Sequence, residues 1–155
     1  MKNEVIAALY IRVSTEIQAK EGFSLDAQRE ALLTHCRLIG ATPFKIYVDA
    51  GRSGKSIEGR TALQEMLADA RKGCFNRVMC LRLNRLSRNM HDLLSLVEIL
   101  EQHKIGLYSL KEKLETDTPM GRCAFQVMSA LAEFEREQIV QNVRLGMQER
   151  SRQGK

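Results

Sequence analysis

The chain has 155 residues, enough for one domain that buries a real core without metal or disulfide staples. Its 44% hydrophobic and 28% charged residues, with two prolines, are the composition of a soluble globular protein. There is no N-terminal signal pattern, and no apolar run approaches the ~20 residues of a membrane span. The net charge of +5 is modest but uneven: Arg71, Lys72, Arg77, Arg82, Arg85 and Arg88 follow one another with no acid between them. From Arg136 to Lys155 five cations face two acids. Such blocks suit a polyanion such as nucleic acid, and also suit a solvated face. Cys36, Cys74, Cys80 and Cys123 form no CxxC pair, and His35 beside Cys36 lacks structural-zinc spacing. The four read as small apolar residues of a reduced, intracellular protein.

In chain order, Val5 to Tyr10 is a continuous apolar run leading into Ile11-Arg12-Val13-Ser14, as in a strand buried on both faces. Ser24 can cap a helix from Leu25 to about Ile39, with Asp26 in its first turn and Gly40 just past its end. Phe44 to Val48 reads as a second strand, and the polar loop from Gly51 to Arg60 is too glycine-rich for regular structure. Thr61 to Lys72 is a short amphipathic helix stopped by Gly73, and Val78 to Leu83 a third strand. Met90 to Lys104 is a third helix with Leu93, Leu96, Val97 and Leu100 on one face. Gly106 to Leu110 is a fourth strand. This alternation predicts an α/β fold with a mostly parallel central sheet flanked by helices.

The last segment behaves differently. From about Gly121 to Gln153 nothing stops a helix, which at 1.5 Å per residue reaches about 45–50 Å. A compact domain of this length has a radius of gyration of only about 15 Å, so the helix is expected to project from the core. Cys123, Val127, Met128, Leu131 and Phe134 are expected to face the core, and Ile139, Val143 and Met147 to form a stripe needing a partner. Self-association is the favoured partner, with an unseen part of the same chain as the alternative. The division is thus a core over 1–120 and a long helix over 121–155, and the lack of a stop signal at Lys155 suggests a fragment of something longer.

Four arginines and one serine fall where strands end: Arg12 and Ser14, Arg60, then Arg85 and Arg88. Sites in parallel α/β sheets gather outside the carboxyl ends of the strands. Converging guanidinium groups repel unless an anion fills the gap, and their planar fork matches phosphate oxygens. A serine among them suggests nucleophilic attack on that phosphate. The bland alternative is scattered surface arginines and an ordinary turn serine. Gly51-Arg52-Ser53-Gly54-Lys55-Ser56 superficially suggests a nucleotide-binding loop, but that pattern needs four residues between its glycines, and Asp49 stands where the first should be. A protein that only grips phosphates would explain the arginines and leave Ser14 without a role.

Tyr10-Ile11-Arg12-Val13-Ser14-Thr15 and Gly22-Phe23-Ser24-Leu25-Asp26-Ala27-Gln28 are followed by Asp49-Ala50-Gly51-Arg52-Ser53-Gly54-Lys55-Ser56 with Gly59-Arg60. Arg85-Leu86-Ser87-Arg88-Asn89, Thr118-Pro119-Met120-Gly121-Arg122 and Ala132-Glu133-Phe134-Glu135-Arg136-Glu137 come next. This ordered series resembles the catalytic domain of the serine recombinases, the resolvase/invertase family. The Gly-Phe-Ser-Leu run and the spacer from Ser14 to Gln28 are most similar to its large members, the phage integrases and related transposases. The resemblance implies site-specific DNA recombination with Ser14 as the nucleophile of a 5′-phosphoserine intermediate. Arg12, Arg85 and Arg88 would hold the scissile phosphate, assisted by Arg60 and Gln28. Asp49 matches a carboxylate near the site, with capping of the following loop as its alternative role. Glu135 and Arg136 match a pair that couples the site to a subunit interface.

The resemblance further implies no cofactor, neither metal nor nucleotide, and double-stranded DNA as partner. It implies a homodimer on DNA, a tetramer in synapsis, no membrane, and a cytoplasmic, nucleoid-associated setting in a prokaryote or phage host. DNA-binding domains would follow the 121–155 helix. One departure is Asn84, where the family usually has aspartate before the Arg-Leu-Ser-Arg block. Asparagine keeps hydrogen bonding but loses charge and proton exchange. Arginine, with a pKa above about 12, is a poor base, so the proton acceptor for Ser14 is not identified, and a catalytically impaired relative is the alternative reading.

Overall fold

The computed structural model describes residues 4–13, 24–50, 60–87 and 89–152, without the side chains of Ser129, Ala132, Arg136, Ser151 and Arg152. Strand β1 (Ile6–Val13) is followed by helix α1 (Leu25–Ile39), β2 (Thr42–Ala50), α2 (Thr61–Arg71) and β3 (Arg77–Cys80). A 3₁₀ turn (Leu83–Arg85), α3 (Met90–Gln102), β4 (Gly106–Ser109), β5 (Leu114–Glu115) and the 34-residue α4 (Pro119–Arg152) complete the chain.

The sheet runs β2-β1-β3-β4-β5, parallel throughout except for the antiparallel β4–β5 pair. β1 lies between β2 and β3, which pair both its edges, and each of its faces packs into a core, as its unbroken apolar run requires. Ala7, Leu9, Ile11 and Val13 pack with Leu32 and Cys36 of α1 and with Met79 and Tyr108. Ala8 and Tyr10 join the other core, with Leu63 and Met66 of α2, Leu93 and Leu96 of α3, and Phe125 of α4. From β1 the chain crosses outward to β2 on one side, then returns to β3 on the other. The carboxyl ends of β1 and β3 therefore flank the switch point where ligands bind in such sheets.

Local signals set several boundaries. Ser24 Oγ accepts the Ala27 N–H at 3.1 Å, and Gly40 closes α1 in the left-handed region at φ 73°. β2 is longer at both ends than the apolar run Phe44–Val48 predicts, because pairing with β1 extends to Thr42 and Ala50. α3 closes at Gln102, two residues short of Lys104, which adopts φ 59°.

Two expectations are corrected and one strand is added. The third strand does not reach Leu83: β3 ends at Cys80, and the 3₁₀ turn begins at Leu83. Leu81 and Leu83 are buried all the same, and this made the segment look like continuing strand. β5 was not foreseen. Of the α4 residues assigned to the core, Cys123, Val127, Leu131 and Phe134 are exposed and only Met128 is partly buried against it. The buried anchor is Phe125, about half a turn round the helix from Val127. The root of α4 touches the body, against β5 and α3.

Candidate active site

β1 delivers Arg12 to the switch point, and the turn after β3 delivers Arg85. Arg85, Arg60 and Arg12 are 0%, 4% and 5% exposed. Buried guanidinium groups are costly unless their donors find acceptors, and here the backbone supplies many of them. Arg12 Nε donates to the Arg85 carbonyl at 3.0 Å and its Nη2 to the Asn84 carbonyl at 2.5 Å. Arg60 Nη2 donates to the same Arg85 carbonyl at 2.6 Å, and its Nη1 to the Leu86 carbonyl. Two arginines thus grip the carbonyls of three successive residues. Gln28, fully buried on α1, ties the assembly together: its Nε2 donates to the Arg12 carbonyl and its Oε1 accepts from Arg85 Nε, both at 3.3 Å.

Behind this layer lies a network that sequence reasoning missed. Tyr10 Oη donates to Asp49 Oδ2 at 2.6 Å and accepts from Arg60 Nε and Nη2 at 3.0 and 2.5 Å. Arg60 also lies 5.2 Å from the centre of the Tyr10 ring. Burial pushes the Tyr10 phenol well above its ordinary range; Arg60 opposes that shift and the bond to Asp49 adds to it. Tyr10 therefore stays neutral, with its proton committed to Asp49. Asp49 in turn accepts the Ala62 and Leu63 N–H groups at 2.9 and 3.1 Å, and Arg60 Nε is 4.0 Å away. The described contacts of Asp49 are those of an anchor that caps α2, whose own N-cap residue, Arg60, provides no side-chain cap.

The segment after β3 folds for equally local reasons. Leu86 is buried, Ser87 Oγ pairs with the backbone of Asn89 at 3.1 Å, and Asn89 Oδ1 accepts the His91 N–H at 2.8 Å to cap α3. At the other end of the turn, Glu112 Oε1 accepts the Leu83 N–H at 2.9 Å and the Ser109 hydroxyl at 2.8 Å. Glu112 also went unnoticed in the sequence, where it sits between two lysines and reads as solvated loop.

Of the sequence-predicted residues, Arg12, Gln28, Asp49, Arg60 and Arg85 converge on one edge of the sheet. Asn84 meets Arg12 through its main-chain carbonyl, an acceptor that aspartate would supply equally. Ser14 and Arg88 lie outside the described residues. Glu135 is exposed on α4 beside Arg136, whose side chain is likewise outside them. Cys36 and Cys80 are buried, Cys74 is half-buried and Cys123 is exposed, and burial raises the Cys36 and Cys80 thiols. Among the described residues no group of three or more His, Cys, Asp or Glu could hold a metal ion. The edge is rich in arginine and amide donors, a chemistry suited to binding and polarising a phosphate.

A family model described as the N-terminal domain of resolvase matches residues 7–155. The chain is similar to a DNA-invertase of Escherichia phage P1, 39% identical over 139 residues, covering 89% of this chain and 66% of the invertase. It is 33% identical over 147 residues to a relative from Bacillus subtilis strain 168, covering 95% of this chain but 28% of that protein. The chain thus spans less than two thirds of the length of these curated relatives. Among solved structures, the N-terminal catalytic domain of TP901-1 integrase superposes with a TM-score of 0.76 at 38% identity, covering 85% of this chain and 97% of that domain.

Proposed function

This chain belongs to the resolvase family of serine recombinases, and from that premise we propose that it cuts and rejoins DNA in site-specific recombination. Ser14 follows β1 by one residue, and its Oγ attacks the scissile phosphorus. The P–O bond to the 3′-oxygen breaks, leaving a 5′-phosphoserine linkage and a free 3′-hydroxyl that later attacks in reverse, without ATP. The guanidinium groups of Arg12, Arg85 and Arg88 supply the charge stabilisation that phosphoryl transfer needs. Arg60 and Gln28 act through the turn and through Arg85. Arg60 and Asp49 serve chiefly as scaffold, and the base that takes the Ser14 proton is not among the groups named.

The observation that carries the reading is the burial of three arginines at the switch point, tied to one another through shared carbonyls and Gln28. A fold that only had to be stable would place leucine or methionine there.

Double-stranded DNA is the proposed substrate, met in the cytoplasm of a prokaryotic or phage-infected cell. Residues 1–120 form the proposed catalytic core, and 121–155 the helix for oligomerisation and DNA contact. Among the described residues no helix is long and apolar enough to cross a membrane. A homodimer on DNA and a tetramer in synapsis are proposed, supported by two exposed apolar faces of α4. Val127, Leu131 and Phe134 form one; Ile139, Val143 and Met147 form another, turned by more than a quarter of the helix circumference.

Incubation with DNA carrying the recombination site, followed by denaturation, should trap a protease-sensitive covalent adduct. Ser14→Ala should abolish the adduct while leaving DNA binding intact. An adduct that survives this substitution overturns Ser14 as the nucleophile.

A further inference from the structure

The Leu83–Arg85 turn is short, and its amino end has no cap of its own: Arg82 precedes it without a side-chain cap bond. Its carboxyl end is held by Arg12 and Arg60, which pull on the carbonyls of Asn84, Arg85 and Leu86. The opposing hold comes from Glu112, twenty-nine residues away, which accepts the Leu83 N–H at 2.9 Å. Glu112 is itself aimed by the Ser109 hydroxyl at 2.8 Å, from the last residue of β4. A carboxylate at the donor end and guanidinium groups at the acceptor end match the dipole of the turn at both ends.

We infer that Glu112 is a positioning residue for strand cleavage. It fixes the start of the turn, and thereby where Arg85 stands relative to the end of β1. The inference rests on the recombination reading above. Glu112 holds the main-chain N–H of Leu83, and it acts through the backbone there. Without it the Leu83 N–H loses its acceptor, and the amino side of the turn is held only upstream, where the Leu110 and Lys111 N–H groups bond the Cys80 and Leu81 carbonyls, and by the packing of Leu83. The turn then slides toward Arg12 and Arg60, and the phosphate-binding groups lose their alignment.

The test compares Glu112→Ala and Glu112→Gln in the full-length protein, using a supercoiled plasmid that carries the DNA flanking its coding sequence. DNA affinity, the rate of covalent adduct formation and amide hydrogen exchange are read in parallel. Glu112→Ala should slow adduct formation by about 10- to 100-fold, the scale on which small misplacements act. DNA affinity should be unchanged, and exchange at the Leu83 amide should quicken while the β1 amides stay protected. Glu112→Gln should restore most of the rate, because its amide oxygen accepts the same two bonds. The inference is overturned by a wild-type rate in Glu112→Ala, by a parallel loss of affinity and rate, or by Glu112→Gln failing as badly as alanine. If the wild-type protein forms no adduct, the recombination reading fails, and the Leu83 exchange still decides whether Glu112 holds the turn.

Discussion

The switch-point edge and the long helix break the usual rule of burial in opposite senses. At the edge, charged side chains are inside: Arg85 is wholly buried and Arg60 and Arg12 nearly so. On α4, apolar side chains are outside: Phe134 is 58% exposed and Ile139 64%. A chain folding only for its own stability would exchange the two. Under the proposed function each region takes an addition, an anion at the edge and an apolar surface on the helix. The edge stabilises its charges internally, through carbonyls, Tyr10 and Asp49, whereas the apolar side chains Phe134 and Ile139 of α4 lie in solvent.

That contrast predicts unequal responses to substitution. Arg60→Ala is expected to be the most damaging, because it strips Asp49 of its cation, frees the Leu86 carbonyl and removes one of the two guanidinium donors on the Arg85 carbonyl. A loss of about 3–5 kcal/mol in urea unfolding is expected. A loss below about 1 kcal/mol would mean that the buried guanidinium is not an anchor and would break the comparison.

Gly121→Ala tests the junction of the two regions. A Cβ there would sit 1.5 Å from the Glu115 carbonyl oxygen of β5, a backbone atom that cannot step aside. The root of α4 must shift, at a cost of about 1–3 kcal/mol or more, visible as a lower Tm. An unchanged Tm would show that α4 is not seated on β5.

Phe134→Ser and Ile139→Ser should be the mildest for the monomer, within about 0.5 kcal/mol, since their side chains lie in solvent. Sedimentation should nevertheless show self-association lost. A monomer destabilised by either change would mean that the face bearing that residue packs on its own body and is no exception to the burial rule.

Much of the sheet was legible because each signal was local. Ser24, Asp26 and Gly40 bracket α1 to the residue, and the unbroken run of β1 marks a strand covered on both faces. The two-residue β5 is too short to leave a periodic pattern. Helical spacing shows that Val127, Leu131 and Phe134 share a face of α4, but it does not say on which side the body lies. At the site, arginine and glutamine stand out in a sequence, and four of them, Arg12, Gln28, Arg60 and Arg85, do converge with Asp49. Tyr10 was hidden because a tyrosine within an apolar strand counts as core, which it also is. Glu112 was hidden because its partner is a main-chain N–H, and every residue but proline offers one.

The seating of α4 carries a mechanical consequence. Gly121 brings the first turn of the helix against β5, and Phe125 plugs the core one turn later, so the helix is clamped near its root. Beyond the clamp it is a lever some 40 Å long at 1.5 Å per residue. A tilt of 5° at the root would swing its tip by roughly 3–4 Å, about the spacing of successive nucleotides along one strand of B-form DNA. Strain on the tip would return to β5, which hangs on β4, whose last residue, Ser109, aims Glu112 at the turn bearing Arg85.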